Sequence, residues 1–194
     1  MTLNGAGRVD PVTEDGVFIH PRGLCESERV GRGTRIWAFA HVMAGAVVGE
    51  DCNVCDHAFI ETGAVLGDRV TVKNAVLIWS GVTVEDDVFL GPAVVFTNDL
   101  RPRAPIKRSA DELLATVVRR GATLGANVTV VCGLEIGAYA FVAAGAVVTA
   151  DVPAQALVVG NPGRVVGTVC RCGERAREGQ RCPSCGVLVS VRLD

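Results

Sequence analysis

The stretch Ile36-Trp-Ala-Phe-Ala-His-Val42-Met-Ala-Gly-Ala-Val-Val48-Gly-Glu-Asp-Cys-Asn-Val54-Cys-Asp-His-Ala-Phe-Ile60 places an Ile or Val at every sixth position. Worked outward, the rule holds from Leu24 to Leu90 without a miss, through Val30, Leu66, Val72, Ile78 and Val84. It returns at Leu124, Val130, Ile136, Val142 and Val148. A helix repeats at 3.6 residues and a half-buried strand at 2, so neither yields a strict six. Hexapeptide periodicity is the mark of a parallel β-helix, whose short strands stack coil on coil. Phe18 lies six before Leu24 and starts the register. From there to Val95 the chain holds thirteen hexads, a little over four coils of three.

Within a hexad the aliphatic residue is expected to point inward. A small residue precedes the next aliphatic by two: Ala40, Ala46, Cys52, Ala58, Ala64, Val70, and Ala75 with Val76 beside it. Gly49, Gly67, Asp86 and Gly91 fall at corners, where left-handed backbone is cheapest for Gly, Asn and Asp. A narrow solenoid also explains why 49% of the 194 residues are apolar but only 5% aromatic. The formal net charge of −2 gives no case for nucleic acid or membrane binding. No apolar run is long enough to span a bilayer. Residues 1–15 lack a signal-peptide pattern, so the chain is expected to be cytoplasmic. Its eight cysteines then point to metal or buried thiols rather than disulfides.

The expected organisation is a loose N-terminal arm (1–17), a β-helix (18–153), a connecting segment (154–168) and a tail of different composition (169–194). The period breaks after Phe96 and resumes at Val118, leaving an excursion loop, 97–117. Such a departure from a solenoid favours a functional loop over idle surface. It is basic, with Arg101, Arg103, Lys107 and Arg108, and Arg119 and Arg120 follow it. In the tail, Cys170-Arg-Cys172-Gly and Cys182-Pro-Ser-Cys185-Gly form two short pairs across a polar loop. Two such turns suit a closed tetrahedral Cys₄ zinc site, structural in kind, with a disulfide pair as the alternative. Cys25, Cys52, Cys55 and Cys132 sit in the repeat. Cys52 and Cys55 are spaced like a redox pair, but Cys52 takes a small inward position and reads as packing.

The hexads, the excursion and three runs together resemble the hexapeptide-repeat acyltransferases. The runs are Arg120-Gly-Ala-Thr-Leu-Gly-Ala-Asn-Val-Thr-Val-Val-Cys-Gly133, Ile136-Gly-Ala-Tyr-Ala-Phe-Val-Ala-Ala-Gly-Ala-Val-Val148 and Val159-Gly-Asn-Pro-Gly-Arg164. Ile36-Trp37, Gly91-Pro92, Phe96-Thr-Asn-Asp99 and Pro102-Arg103 narrow this to bacterial N-acetyltransferases of nucleotide-linked amino sugars. Two branches are similar, one acting on dTDP-3-amino-3,6-dideoxyhexoses and one on a UDP-linked 3-amino-glucuronate. His57 and Asn98-Asp99 look like the first branch and Asn74 like the second. Pro162-Gly163-Arg164 and Ser80 depart from common family residues. The resemblance covers about 18–167 and leaves out the tail. It implies an all-β, left-handed parallel β-helix with a projecting loop, against the usual right-handed crossover. To this the tail adds a small zinc-ribbon-like appendage. The resemblance also implies a homotrimer with sites between subunits, and acetyl-CoA as donor.

Acetyl transfer to an amine needs alignment, a donor for the developing oxyanion and a destination for the amine proton. Of the three histidines, His20 precedes the regular coils and His41 is placed at a corner. His57 faces outward and is the candidate base, a solvated or packing histidine being the alternative. Asn74 and Asn98 join it as candidate catalytic residues. Thr62, Ser80 and Asn98 are eighteen apart and should stack in one column. Glu61, Ser80, Asp99, Arg101 and Arg103 are candidate substrate residues, the arginines for a diphosphate. Gly125, Ala126, Ala144 and Gly145 would let pantetheine run close to the backbone, with Arg164 meeting a CoA phosphate. Three histidines so spaced do not make a zinc carbonic anhydrase. A non-catalytic scaffold, or an O- or N-acyltransferase for another small acceptor, are the remaining alternatives.

Overall fold

Two-residue strands separated by tight corners build three faces. In the computed structural model, which describes residues 16–190, the first face stacks Ile19, Ile36, Val54, Val72, Leu90, Leu124, Val142 and Val158. The second stacks Cys25, Val42, Ile60, Ile78, Phe96, Val130 and Val148. The third runs Val30, Val48, Leu66, Val84, Val118, Ile136 and Val152. All these pairings are parallel, and the fold is a left-handed parallel β-helix. Each coil donates backbone N–H groups to the next, as in His41 to Ala58 (2.8 Å), Phe59 to Val76 (2.9 Å) and Leu77 to Val94 (3.0 Å). The expected N-terminal arm lies outside the described residues except for its last two.

The inward column and the residue two before it form one continuous core. Ile36, Ile60, Ile78 and Leu90 are wholly buried, as is Phe96, the largest side chain in that core. In the fourth coil the inward small position belongs to Val76, not Ala75. Ala75 takes the exposed corner with φ of 59°.

The start of the register differs from the count of sixes. Ile19 pairs with Ile36 and Cys25 with Val42, so the first coil is one residue short. Leu24 therefore faces outward, 51% exposed. Phe18 also faces out and packs on the Trp37 ring at 5.2 Å. The shortening falls between Cys25 and Val30. There Ser27 Oγ donates to the Ala46 carbonyl (2.7 Å) and accepts the Arg29 N–H (3.0 Å), closing a tighter corner. His41 is likewise not at a corner. It opens the strand His41–Val42, bonds Glu26 at 3.0 Å and meets the Phe59 ring edge-on.

The excursion leaves and returns at one corner. The Asn98 carbonyl accepts the Leu114 N–H (3.0 Å), and Val118 then pairs with Val84. Between them lies one 3-10 turn, Ala110–Glu112. At the other end, Ala156–Val159 is the last parallel rung of the first face. The chain reverses and Arg164–Val169 returns antiparallel along it, followed by Arg175–Ala176. No helix among the described residues is long and apolar enough to cross a membrane.

Candidate active site

The corner between the first and second faces is a vertical stack of short turns. Backbone hydrogen bonds tie it together: His57 N–H to Ala38, Ala75 to Asp56, Ala93 to Asn74, Asn127 to Pro92 and Gly145 to Ala126. His57 is exposed, with its ring stacked on Phe39 at 5.0 Å and 11°. The Arg22 guanidinium lies 5.8 Å from the Phe39 ring. Neither nitrogen of His57 bonds a described residue, and the Asn74 amide is equally free. Below them on this stack come Gly125, Ala126, Ala144 and Gly145. At about 4.8 Å per rung, His57 and Gly145 are roughly 19 Å apart.

Two of these small residues differ in what they leave open. A Cβ on Gly125 would lie 2.5 Å from the Ala144 nitrogen, so the packing of coil on coil already demands glycine there. A Cβ on Gly145 would meet nothing within 4 Å. Gly145 and Ala144 therefore face open space, where a ligand chain can pass. Arg164 is exposed beside the reversal 160–163, which docks on the second face through the Gly163 N–H to the Val147 carbonyl (2.7 Å).

The corner between the second and third faces gathers a second group. The Glu61 carboxylate accepts the Ser80 backbone N–H at 2.8 Å. Asn98 is one rung on from Ser80, its side-chain amide unbonded to described residues. Asp99 Oδ1 accepts the Arg101 N–H (2.8 Å), and its other oxygen is 4.0 Å from Arg108 Nε. Arg108 also pairs with Glu112 at 3.2 Å. The Ser109 backbone N–H, its hydroxyl and Arg108 hold the Glu112 carboxyl below the usual range. Arg101 and Arg103 are exposed, and neither guanidinium meets a described carboxylate. Arg119 and Arg120 serve elsewhere: Arg119 pairs with Glu85 (2.8 Å) and Glu135 (2.6 Å), Arg120 with Asp86 (3.5 Å).

Sequence candidates thus fall on two corners. His57, Asn74 and the small residues share one, while Glu61, Ser80, Asn98, Asp99 and the loop arginines share the other. A hexad separates them, up to about 20 Å of extended chain. Between them the second face presents Phe59, which leans on the Trp79 ring at 5.4 Å. Sequence reading passed over these rings and the Phe39–His57 stack. The eighteen-residue spacing of Phe39 and His57 was the available signal.

The four tail sulfurs lie within 4.8 Å of one another, with Cys170–Cys185 and Cys172–Cys182 both at 3.6 Å. A tetrahedral zinc with Zn–S bonds of about 2.3 Å sets its sulfurs about 3.8 Å apart, so this donor set fits zinc. A disulfide holds them at about 2.05 Å. The Cys185 and Ser184 backbone N–H groups lower the Cys182 thiol to about 7. Cys185 has a lowering N–H from Val187, yet the neighbouring Cys172 thiol, burial and the other thiols push it up to about 12. It is the one group of three or more potential ligands among the described residues, and no histidine belongs to it. A concavity of about 800 Å³ is lined by Glu85, Arg119, Glu135, Tyr139, Asp151 and Arg171 among others. It lies at the corner between the third and first faces, away from both candidate groups.

Residues 29–62 match the family described as bacterial transferase hexapeptide (six repeats). The dTDP-3-amino-3,6-dideoxy-alpha-D-galactopyranose 3-N-acetyltransferase of Aneurinibacillus thermoaerophilus is 47% identical over 171 residues, 87% of this chain and 88% of that protein. Serine acetyltransferase 4 of Arabidopsis thaliana matches over 49 residues at 51%, only 25% of this chain and 14% of its own length. Among solved structures, the acetyltransferase domain of PglB from Neisseria gonorrhoeae, in complex with acetyl coenzyme A, superposes with a TM-score of 0.54 at 18% identity. That match covers 78% of this chain and 58% of the other, and speaks for the fold.

Proposed function

The chain belongs to the hexapeptide-repeat N-acetyltransferases of nucleotide-linked amino sugars, and from that premise we propose that its acceptor is a dTDP-3-amino-3,6-dideoxyhexose. It transfers an acetyl group from acetyl-CoA to the sugar's amine. The observation that carries the finer reading is the 47% identity to a 3-N-acetyltransferase of that sugar class, spread over 87% of the chain. A local match of shared repeats would not extend so far.

In the chemistry proposed, the neutral amine attacks the thioester carbonyl, a C–N bond forms and the C–S bond breaks. CoA leaves as thiolate, and the amine proton passes to it directly or by way of His57. His57 and Asn74 would face the sugar from one corner. Asn98, Asp99, Ser80 and Glu61 would hold it from the other, with Arg101 and Arg103 on the diphosphate. Pantetheine would descend past Ala144 and Gly145 toward Arg164, Gly125 and Ala126 lying alongside.

The two corners do not converge within one chain, since the second face stands between them. This supports a homotrimer in which one subunit's His57 corner meets a neighbour's Asn98 corner. A cysteine cluster suited to zinc rather than to disulfides supports a reducing, cytoplasmic setting. Cys170, Cys172, Cys182 and Cys185 would hold a structural zinc with no open position for chemistry.

The test is thiol release from acetyl-CoA with a panel of dTDP- and UDP-linked 3-amino and 4-amino sugars. Free CoA should appear fastest with a dTDP-3-amino-3,6-dideoxyhexose. Release only with a UDP-linked or 4-amino sugar overturns the proposed acceptor.

A further inference from the structure

Beyond Val169 the tail has little apolar material of its own. Its buried cluster is Cys170, Cys182 and Val189, with Ala176 packed against them. Two of those four are sulfurs of the Cys₄ set. A lone hairpin is marginal in water, and units this small rest on disulfides or metals. Both ligand pairs are nonetheless shaped as tight turns. Cys170 N–H donates to Glu174 and Gly173 N–H to Cys170, both at 2.8 Å. Cys182 N–H donates to Val187 (2.8 Å) and Gly186 N–H to Cys182 (2.9 Å).

This tail is continuous with the end of the solenoid. Thr168 and Val169 pair with Ala176 and Arg175, while the other edge of the same strand pairs with Ala156–Val159. Val169 and Gln155 clamp each other. The Val169 N–H donates to the Gln155 carbonyl (2.8 Å), and Gln155 Nε2 donates to the Val169 carbonyl (3.0 Å). Gln155 is buried, a rare polar side chain in this core. Arg171, set between ligands Cys170 and Cys172, lays its guanidinium 4.9 Å from the centre of the Tyr139 ring. Tyr139 belongs to a corner of the last full coil.

We infer that the ion held by Cys170, Cys172, Cys182 and Cys185 is the C-terminal clasp of the β-helix, closing the strand Arg164–Val169 over the edge of Ala156–Val159. The inference rests on the zinc reading above. An uncovered final rung presents a row of unpaired N–H and C=O groups, and solenoids need their ends capped. Here the cap consists of one strand anchored at Cys170. In a domain this small, metal binding supplies the folding free energy. Arg171 lies between two of the ligands, so the Cys170–Cys172 turn is what sets it against Tyr139, and this pair is the proposed route from the ion to the coil.

Two measurements on the full chain separate the claims. Zinc released into a colorimetric chelator is expected at one per chain. Hydrogen exchange is then compared for the zinc-loaded protein, the chelated protein and the chelated protein given zinc alone. Chelation should strip protection from residues 156–176 and leave residues 36–96 unchanged, and zinc should restore it. Zinc present but protection of 156–169 unaltered on chelation overturns the clasp and leaves the zinc reading standing. Absence of zinc after purification and reloading overturns both. The pair Gln155→Ala, Arg171→Ala should keep one zinc per chain yet exchange faster across 164–169. Parental protection in that variant would overturn the proposed route.

Discussion

His57 occupies a corner with φ of 61°, in the left-handed region that most side chains avoid. Replacing it by alanine would mix lost chemistry with backbone strain. Asparagine tolerates that region better, which makes His57→Asn the cleaner probe. We expect His57→Asn to lower kcat/KM at least about tenfold with an unchanged unfolding midpoint, in line with the contribution of a positioned proton carrier. Asn98→Ala should act in the same direction. Parental rates in both variants would remove these residues from the reaction. Core residues behave differently. Ile60 is wholly buried in the column Val42–Ile60–Ile78, so Ile60→Ala should cost about 2–5 kcal/mol in urea unfolding. Leu24 shares its phase in the count of sixes but is 51% exposed, and Leu24→Ser should change stability by less than about 0.5 kcal/mol. A large loss at Leu24 would restore the uninterrupted register.

At the scale of elements, the excursion is the one long departure from the coil, and its hydrogen bonds explain how it keeps a shape. Arg108 links Asp99 to Glu112, and Ser109 caps the turn Ala110–Glu112, leaving Arg101 and Arg103 outward. Arg101→Ala and Arg103→Ala should each raise KM for the nucleotide sugar about tenfold, the scale of one charged hydrogen bond. KM for acetyl-CoA should stay as it was, and a rise for acetyl-CoA instead would move the arginines to the donor. The loop's position was legible because the period stops at Phe96 and resumes at Val118. Its internal bonds were not, since Asp99, Arg108 and Glu112 carry no periodic signal. The coils were legible for the opposite reason. Each rung repeats one demand, an aliphatic inward and a turn six residues on, so a single error such as Leu24 hides among many matches. A corner one residue short can be seen only once Cys25 is paired with Val42. For the site, eighteen-residue spacing identifies which residues share a corner. It says nothing of which two corners serve one site, because residues on different corners of a coil carry no common spacing.

At the scale of the whole molecule, this last point becomes a measurable claim. The His57 corner and the Asn98 corner are separated by the second face in one chain, with Phe59, Leu77 and Val95 outward between them. In the proposed homotrimer, a site that uses both groups draws them from two chains. Chains carrying only His57→Asn and chains carrying only Asn98→Ala should then complement each other. When the two are co-expressed in equal amounts and assembled at random, about a quarter of the inter-subunit sites join an intact His57 corner to an intact Asn98 corner. Thiol release should recover toward a quarter of the parental rate, although either variant alone stays near its own low level. Mixing after assembly should give no recovery until subunits exchange, which ties the gain to the interface. If co-assembled chains remain as slow as the separate variants, the two groups serve a site within one subunit, and the division of the site between neighbours is wrong.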